Sequence, residues 1–193
     1  MKQLIIICVL AMLILATSSA TAGLTVVDFE GVPDAYYFNG GNQNLDGYYP
    51  GLNFGTDATI LDKVIYGYND FSYPPHSGDA VLFSVTVPSI RVDFVGYTTT
   101  YAEVWYTSLS TFYMEAYDAS DALLDTTSGV GNSGSNSLLS VTGSDIAYVI
   151  LHDTGNYFTV DDFAYEPIPA PGAILLGSIG VGFVSWLRRR RTL

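Results

Sequence analysis

The sequence predicts an all-β domain, an antiparallel β-sandwich or barrel, between two terminal segments of different character. Three observations point there. Apolar and polar residues alternate at a period of two in the middle of the chain, and no stretch there carries a 3.6-residue apolar stripe. Gly, Asn, Asp and Ser recur between these short runs as turn formers. The composition suits half-buried pleated surfaces, with 15 Tyr, 10 Phe and 19 Gly among 193 residues.

The elements follow in order. Residues 24–29 open the domain as a strand. In 90–97, Ile90, Val92 and Phe94 alternate with Arg91 and Asp93. Residues 102–107 and 111–118 form two strands joined at 108–110; in the second, Phe112, Met114 and Ala116 share one face and Tyr113, Glu115 and Tyr117 the other. A turn at 118–121 returns the chain through 122–126. Residues 138–141, 146–151 and 157–165 complete the set. Three stretches read as loops: 34–50, rich in Tyr, Asn and Gly; 73–78, with Pro74-Pro75; and the Gly/Ser/Asn run 128–137. Long loops on a β scaffold are where binding residues concentrate.

The N-terminus has the order of a secretory leader, residues 1–22. Lys2 precedes an apolar run over 4–16, then small residues follow. Ala20-Thr21-Ala22 fits the small-x-small cleavage pattern before Gly23. The run is short for a membrane span of about 20 residues. The C-terminus, residues 166–193, begins with a proline cluster at Pro167, Pro169 and Pro171, which reads as a semi-extended spacer after the domain of residues 23–165. An uncharged segment over 173–187 follows, with Trp186 near its end, and then Arg188, Arg189, Arg190 and Arg191. That order predicts a transmembrane helix with an interfacial aromatic and a positive cytoplasmic flank.

This tail resembles the PEP-CTERM sorting signal of Gram-negative bacteria. Glu166, Pro167, Pro169 and Pro171 match its motif region, and the apolar segment and arginines match its helix and basic end. Tyr165 stands where a strict Pro-Glu-Pro would have its first proline. The resemblance implies an exosortase-like processing enzyme as partner and transient or anchoring contact with the inner membrane. It also implies export to the cell surface or extracellular matrix.

Charge narrows the partners. All 19 acidic residues lie between Asp28 and Glu166, where the only Lys or Arg are Lys63 and Arg91. Such a surface repels phosphate backbones, which excludes nucleic acid as a partner, and attracts cations such as calcium. The single cysteine, Cys8, lies in the leader, so the mature domain has no disulfide and no thiol nucleophile. Serine-hydrolase, zinc-protease and phosphate-loop motifs are missing, and no carboxylate pair stands out for glycosidase chemistry. The chain therefore reads as a non-enzyme.

Asp161 and Asp162 are adjacent on an alternating strand, which predicts opposite faces, one of them buried. A buried carboxylate needs hydrogen bonds, a cation or a proton. With two basic side chains in the domain, backbone donors or a calcium ion are the candidates. His76 and His152 read as loop or surface residues. The order of parts also resembles the jelly-roll domains of exported bacterial proteins, including carbohydrate-binding modules. The matching stretches are Val27-Asp28-Phe29-Glu30-Gly31, residues 49–54, residues 74–78 and residues 158–163. That resemblance implies a jelly-roll sandwich whose first and last strands are neighbours. It further implies a structural calcium at their junction, held by Asp28, Glu30, Asp161 and Asp162. Among a rich set of aromatics, Tyr48, Tyr49, Tyr73 and Trp105 are the candidates for stacking on sugar rings. The leading expectation is a surface or matrix protein with a structural or adhesive role. The alternative is a module that binds extracellular polysaccharide, and a hydrolase is third.

Overall fold

The computed structural model describes residues 23–32, 45, 47–55, 57–66, 68 and 70–169. The leader with Ala20 and Ala22, most of the 34–50 loop, Pro171, the apolar tail and Arg188 to Arg191 lie outside the described residues. Residues Gly23–Ile168 form one compact unit.

That unit is all-β but for one helical turn. In chain order it runs β1 (Thr25–Val27), β2 (Leu52–Asn53), β3 (Ala58–Asp62), α1 (Lys63–Tyr66), β4 (Ala80–Ser84), β5 (Ser89–Phe94), β6 (Tyr97–Ser108), β7 (Phe112–Tyr117), β8 (Leu123–Gly129), β9 (Ser137–Ile146), β10 (Tyr148–Asp153) and β11 (Phe158–Pro169). Two sheets result. One has the order β3-β4-β11-β6-β9 with β1 added beside β11; the other is β2-β5-β10-β7-β8. The strand pairs with defined register are antiparallel. The expected period of two is plain in β5 and β7, where every second residue is buried.

The inner faces meet in an aromatic core. Phe54 packs edge-on to Phe163 at 6.2 Å between ring centroids, and Phe94 lies 5.3 Å from Tyr165. Nearer the other end, Tyr106 stacks on Phe112 at 4.5 Å, with Phe158 5.2 Å beyond. Such offset and edge-on pairs add roughly 0.5–1.5 kcal/mol each beyond simple burial.

Two strands were hidden in the sequence. In β3, Ala58 to Leu61 are all buried, so no alternation shows; in β4, Ala80 to Leu82 are buried as well. The outward residues of these strands lie under loops, and a strand covered on both faces reads as a continuous apolar run. The expected single strand over 90–97 is broken at Val95-Gly96, and Tyr97 already belongs to β6. Gly96 takes φ +85 there, a conformation that favours glycine.

β11 departs from expectation in two places. It does not stop at Tyr165 but continues through Pro167 to Pro169, so the first prolines of the tail are part of the sheet. β1 covers this edge only up to Tyr165, opposite Thr25. Beyond that point no main-chain donor is required on that side, which is where a strand tolerates proline. The other edge remains engaged, since Thr99 Oγ1 donates to the Glu166 carbonyl at 2.7 Å.

The second departure is a bulge. Val160 and Phe163 both face the core, with relative exposures of 1% and 0%. Three positions cannot separate two residues of one face in a regular strand. The extra residue is absorbed at Asp162, whose φ is +44, and Asp162 N donates to Asp161 Oδ1 at 2.7 Å. The expectation that the two carboxylates face opposite ways is thereby corrected: both reach one loop. Asp161 Oδ2 accepts from the N–H groups of His76 and Ser77 at 2.8 and 2.9 Å. Asp162 accepts from Ser77 Oγ at 2.9 Å and lies 2.6 Å from His76 Nδ1. Along the same loop, Glu30 Oε1 accepts from Asp79 N and Ala80 N at 2.7 and 2.8 Å. The bulge sits where β11 exchanges one partner for another, β4 at Val160 and β1 from Phe163 onward.

Burial pushes the Asp161 carboxyl up from 3.8 to about 6; the Ser77 N–H pulls the other way and the neighbouring Asp162 charge adds to the rise. Its folded value thus lies above its unfolded one. Its contribution to stability is fully present below about pH 3.8 and is lost as pH rises through about 6. Denaturant unfolding of residues 23–168 across this range should show that downward slope with rising pH. In Asp161→Asn the slope should be missing, and stability should fall by about 1–3 kcal/mol because an amide NH2 replaces an acceptor facing N–H donors. Gly78 supplies a second check. It has φ +52, and an added Cβ would land on the Glu30 carboxylate. Gly78→Ala should therefore lower the melting temperature by more than an exposed loop substitution does, measured by circular dichroism.

Candidate functional site

The outer face of the first sheet carries a groove at the end where β11 begins. Its floor is made by outward residues of three strands, Leu61 on β3, Phe83 on β4 and Thr159 on β11. One wall is Tyr68 and Tyr73, from the segment between α1 and β4; the other is Asn156 and Tyr157, from the β10–β11 turn. The cavity holds about 460 Å³. Val85 closes one side, and among the described residues no charged side chain lines it.

The β10–β11 turn is held by a buried acid. Asp153, 4% exposed, ends β10. Its Oδ1 accepts from Gly155 N and Asn156 N at 2.9 and 2.6 Å. Its Oδ2 accepts from Tyr157 N, Ser108 Oγ and Ser110 Oγ at 3.1, 3.0 and 3.1 Å. This donor set offsets the cost of burying the charge and fixes the groove wall to the β6–β7 turn. Asn156 takes φ +59, which Asn tolerates better than most side chains, and Tyr157 is left 58% exposed at the rim.

The groove contains polar atoms without partners. Asn156 Oδ1 and the Tyr68 hydroxyl are buried and unbonded among the described residues. The Asn156 Nδ2 is directed at the Ser84 carbonyl at 3.4 Å. Leaving a buried acceptor unpaired costs about 1–3 kcal/mol. Burial, with Asp70 and more distant carboxylates, pushes the Tyr68 phenol well up. Burial and then Asp153 and Tyr157 push Tyr73 up too. Both therefore remain protonated hydroxyls at neutral pH. The groove can bury an apolar ring face, and its described lining residues include no carboxylate, imidazole or thiol.

Of the four aromatics proposed for stacking, only Tyr73 is in this groove. Tyr48 is 43% exposed and donates to the Gly31 carbonyl at 3.1 Å. Tyr49 is a packing residue, edge-on to Phe29 and Phe54 at 6.0 and 5.7 Å. Trp105 projects from β6, and one face of its indole is covered by the His76 imidazole, stacked at 3.6 Å and 8°. Tyr68 is one of the 15 tyrosines of the chain and was not among those four. Phe83, Asn156 and Tyr157 were not anticipated; the only local signal was the turn composition Thr154-Gly155-Asn156 between two strands.

The four carboxylates considered for calcium do gather in part. Glu30, Asp161 and Asp162 all meet the 76–80 segment, but each is answered by N–H and hydroxyl donors, the alternative to a cation that the sequence left open. Asp28 Oδ1 accepts from Glu30 N at 3.2 Å in its own turn. Among the described residues no group of three or more His, Cys, Asp or Glu side chains is disposed to hold a metal ion. His76 lies on a loop as expected, and His152 lies on the outer face of β10, 3.7 Å from Glu115.

No family model and no curated protein matches the chain. Solved structures similar to it include a family 6 carbohydrate-binding module, at 11% identity over 74% of this chain and 93% of that one, with a TM-score of 0.40. Another is CBM29_1, a family 29 carbohydrate-binding module from Piromyces equi, at 13% identity, coverage of 75% and 90%, and a TM-score of 0.42. A third is CsCBM6-3 from Clostridium stercorarium in complex with cellobiose, at 15% identity, coverage of 65% and 92%, and a TM-score of 0.38. These values describe distant likeness in architecture, and no ligand or activity is carried over from them.

Proposed function

We propose that residues 23–168 form a non-catalytic glycan-binding module, jelly-roll-like in architecture, of an exported protein. One observation carries this reading: a groove walled by Tyr68, Tyr73 and Tyr157 whose described lining residues carry no charge. Sugar rings present an apolar C–H face, and this groove offers aromatic surface for it. The sequence placed a structural or adhesive role first and glycan binding second; the groove supports the second reading. The direct test is calorimetric titration of the isolated unit with extracellular polysaccharides and their oligosaccharides. Tyr157→Ala and Tyr73→Ala should each weaken binding about tenfold, the equivalent of one lost aromatic contact, with little change in melting temperature. Affinity unchanged in both variants would remove the groove from the binding event.

Delivery completes the proposal. The leader ends at Ala22, and the tail from Glu166 is sorted at the inner membrane by an exosortase-like enzyme, which leaves the module at the cell surface or in the matrix. The ordered prolines, apolar segment and Arg188 to Arg191 support this part. Intact-mass analysis of the mature protein should show that Trp186 and the arginines are gone, and neutral residues at 188–191 should cause the precursor to accumulate. A mature protein that retains its arginines would make the tail a simple anchor.

A further inference from the structure

His76 is held more firmly than its place in a loop requires. Its main-chain N–H donates to Asp161 Oδ2 at 2.8 Å, its Nδ1 lies 2.6 Å from Asp162 Oδ2, and its ring lies flat on the Trp105 indole at 3.6 Å and 8°. The two side-chain supports stand on neighbouring strands, Asp162 on β11 and Trp105 on β6. Trp105 is in regular pairing opposite Leu138 of β9, and it alternates with the core residues Val104 and Tyr106. It is therefore a fixed seat on the outer face of the first sheet.

Three residues upstream is Tyr73, a wall of the groove. Between them stand Pro74 and Pro75, which have no N–H to donate and whose rings hold φ near about −65°. Pro74 also keeps Tyr73 itself in extended backbone. The Pro75 carbonyl accepts from Asn136 Nδ2 at 3.2 Å, and the Ser72 carbonyl from Gly134 N at 2.9 Å. A link this stiff passes a displacement along the chain instead of absorbing it. We infer that His76 is a positioning residue of the groove: its ring, seated on Trp105 and bound by Asp162, sets the place of Tyr73 through Pro74-Pro75. This rests on the glycan-binding reading above, in which Tyr73 meets the sugar, and it gives Trp105 a part other than stacking on sugar. Neither His76 nor Trp105 is among the described residues that line the groove, so their effect on binding goes by way of Tyr73.

The experiment is a double-mutant cycle on residues 23–168, read by calorimetric titration with the tightest binder among cellohexaose, laminarihexaose, mannohexaose and chitohexaose. His76→Ala should weaken binding about tenfold. Added to Tyr73→Ala it should cost less than about twofold more, because the residue it positions is gone. Added to Tyr157→Ala, on the other wall, it should again cost about tenfold. A general loosening of the fold would weaken all three backgrounds alike. Trp105 is the only tryptophan within residues 23–168, so its fluorescence should change in His76→Ala and keep its native spectrum in Tyr157→Ala. If thermal melting shows His76→Ala to be unfolded, His76→Asn repeats the cycle, since it keeps a polar group for Asp162 and removes the stack. Full affinity in the His76 variant, or a further tenfold loss when it is added to Tyr73→Ala, would overturn the inference and leave glycan binding standing. A panel in which no member binds would overturn the glycan-binding reading itself.

Discussion

The fold depends on buried carboxylates answered by main-chain N–H groups. This chain sets 19 acids against two bases between Asp28 and Glu166, so ion pairing cannot satisfy the acids that become buried. Main-chain donors take that role for the buried Asp161 and Asp153, and they also hold the half-buried Glu30. Asp161 binds the N–H groups of His76 and Ser77, Glu30 those of Asp79 and Ala80, and Asp153 those of Gly155, Asn156 and Tyr157. Each tie fixes a loop to a strand. Charge-assisted bonds of this kind are about twice as strong as neutral ones, and several donors on one carboxylate offset part of its loss of water, at Asp161 less than the whole.

The first two ties act at one place. β11 is the central strand of its sheet, and on one edge it pairs with β4 and then with β1. A strand cannot hand over between partners without leaving main-chain groups exposed, and the bulge at Asp161-Asp162 fills that gap with the 76–80 segment. The third tie acts at the start of the same strand and builds the groove wall. The chain enters through β1 and leaves through the end of β11, antiparallel neighbours at one end of the domain, while the groove lies toward the other.

Tyrosine does several jobs in this molecule, and its abundance alone names none of them. Tyr106 and Tyr165 are core residues. Tyr148 lies beneath the Arg91 guanidinium, 3.5 Å from its ring centre, and stacks on Tyr117 at 5.0 Å on the outer face of the second sheet. Tyr68, Tyr73 and Tyr157 line the groove. The difference is whether a second layer covers the residue, which is a property of the packing.

By itself the sequence determined the all-β class, the antiparallel character, the alternating faces of β5 and β7, and an acid-rich, base-poor surface. These are local or additive properties: a period of two is written in neighbouring residues, and charge is a sum. It also marked Asp161 and Asp162 as needing partners, because the scarcity of bases is visible without coordinates. The tertiary structure alone decided which partners they took. A bulge shifts every following side chain to the other face, and it arises from the competition between β4 and β1 for one edge of β11. β3 and β4 were hidden because loops cover their outer side and erase the alternation. The groove was hidden for a related reason: Tyr68, Phe83 and Tyr157 lie in three separate segments, and only strand order and the Asp153 tie bring them to one cavity.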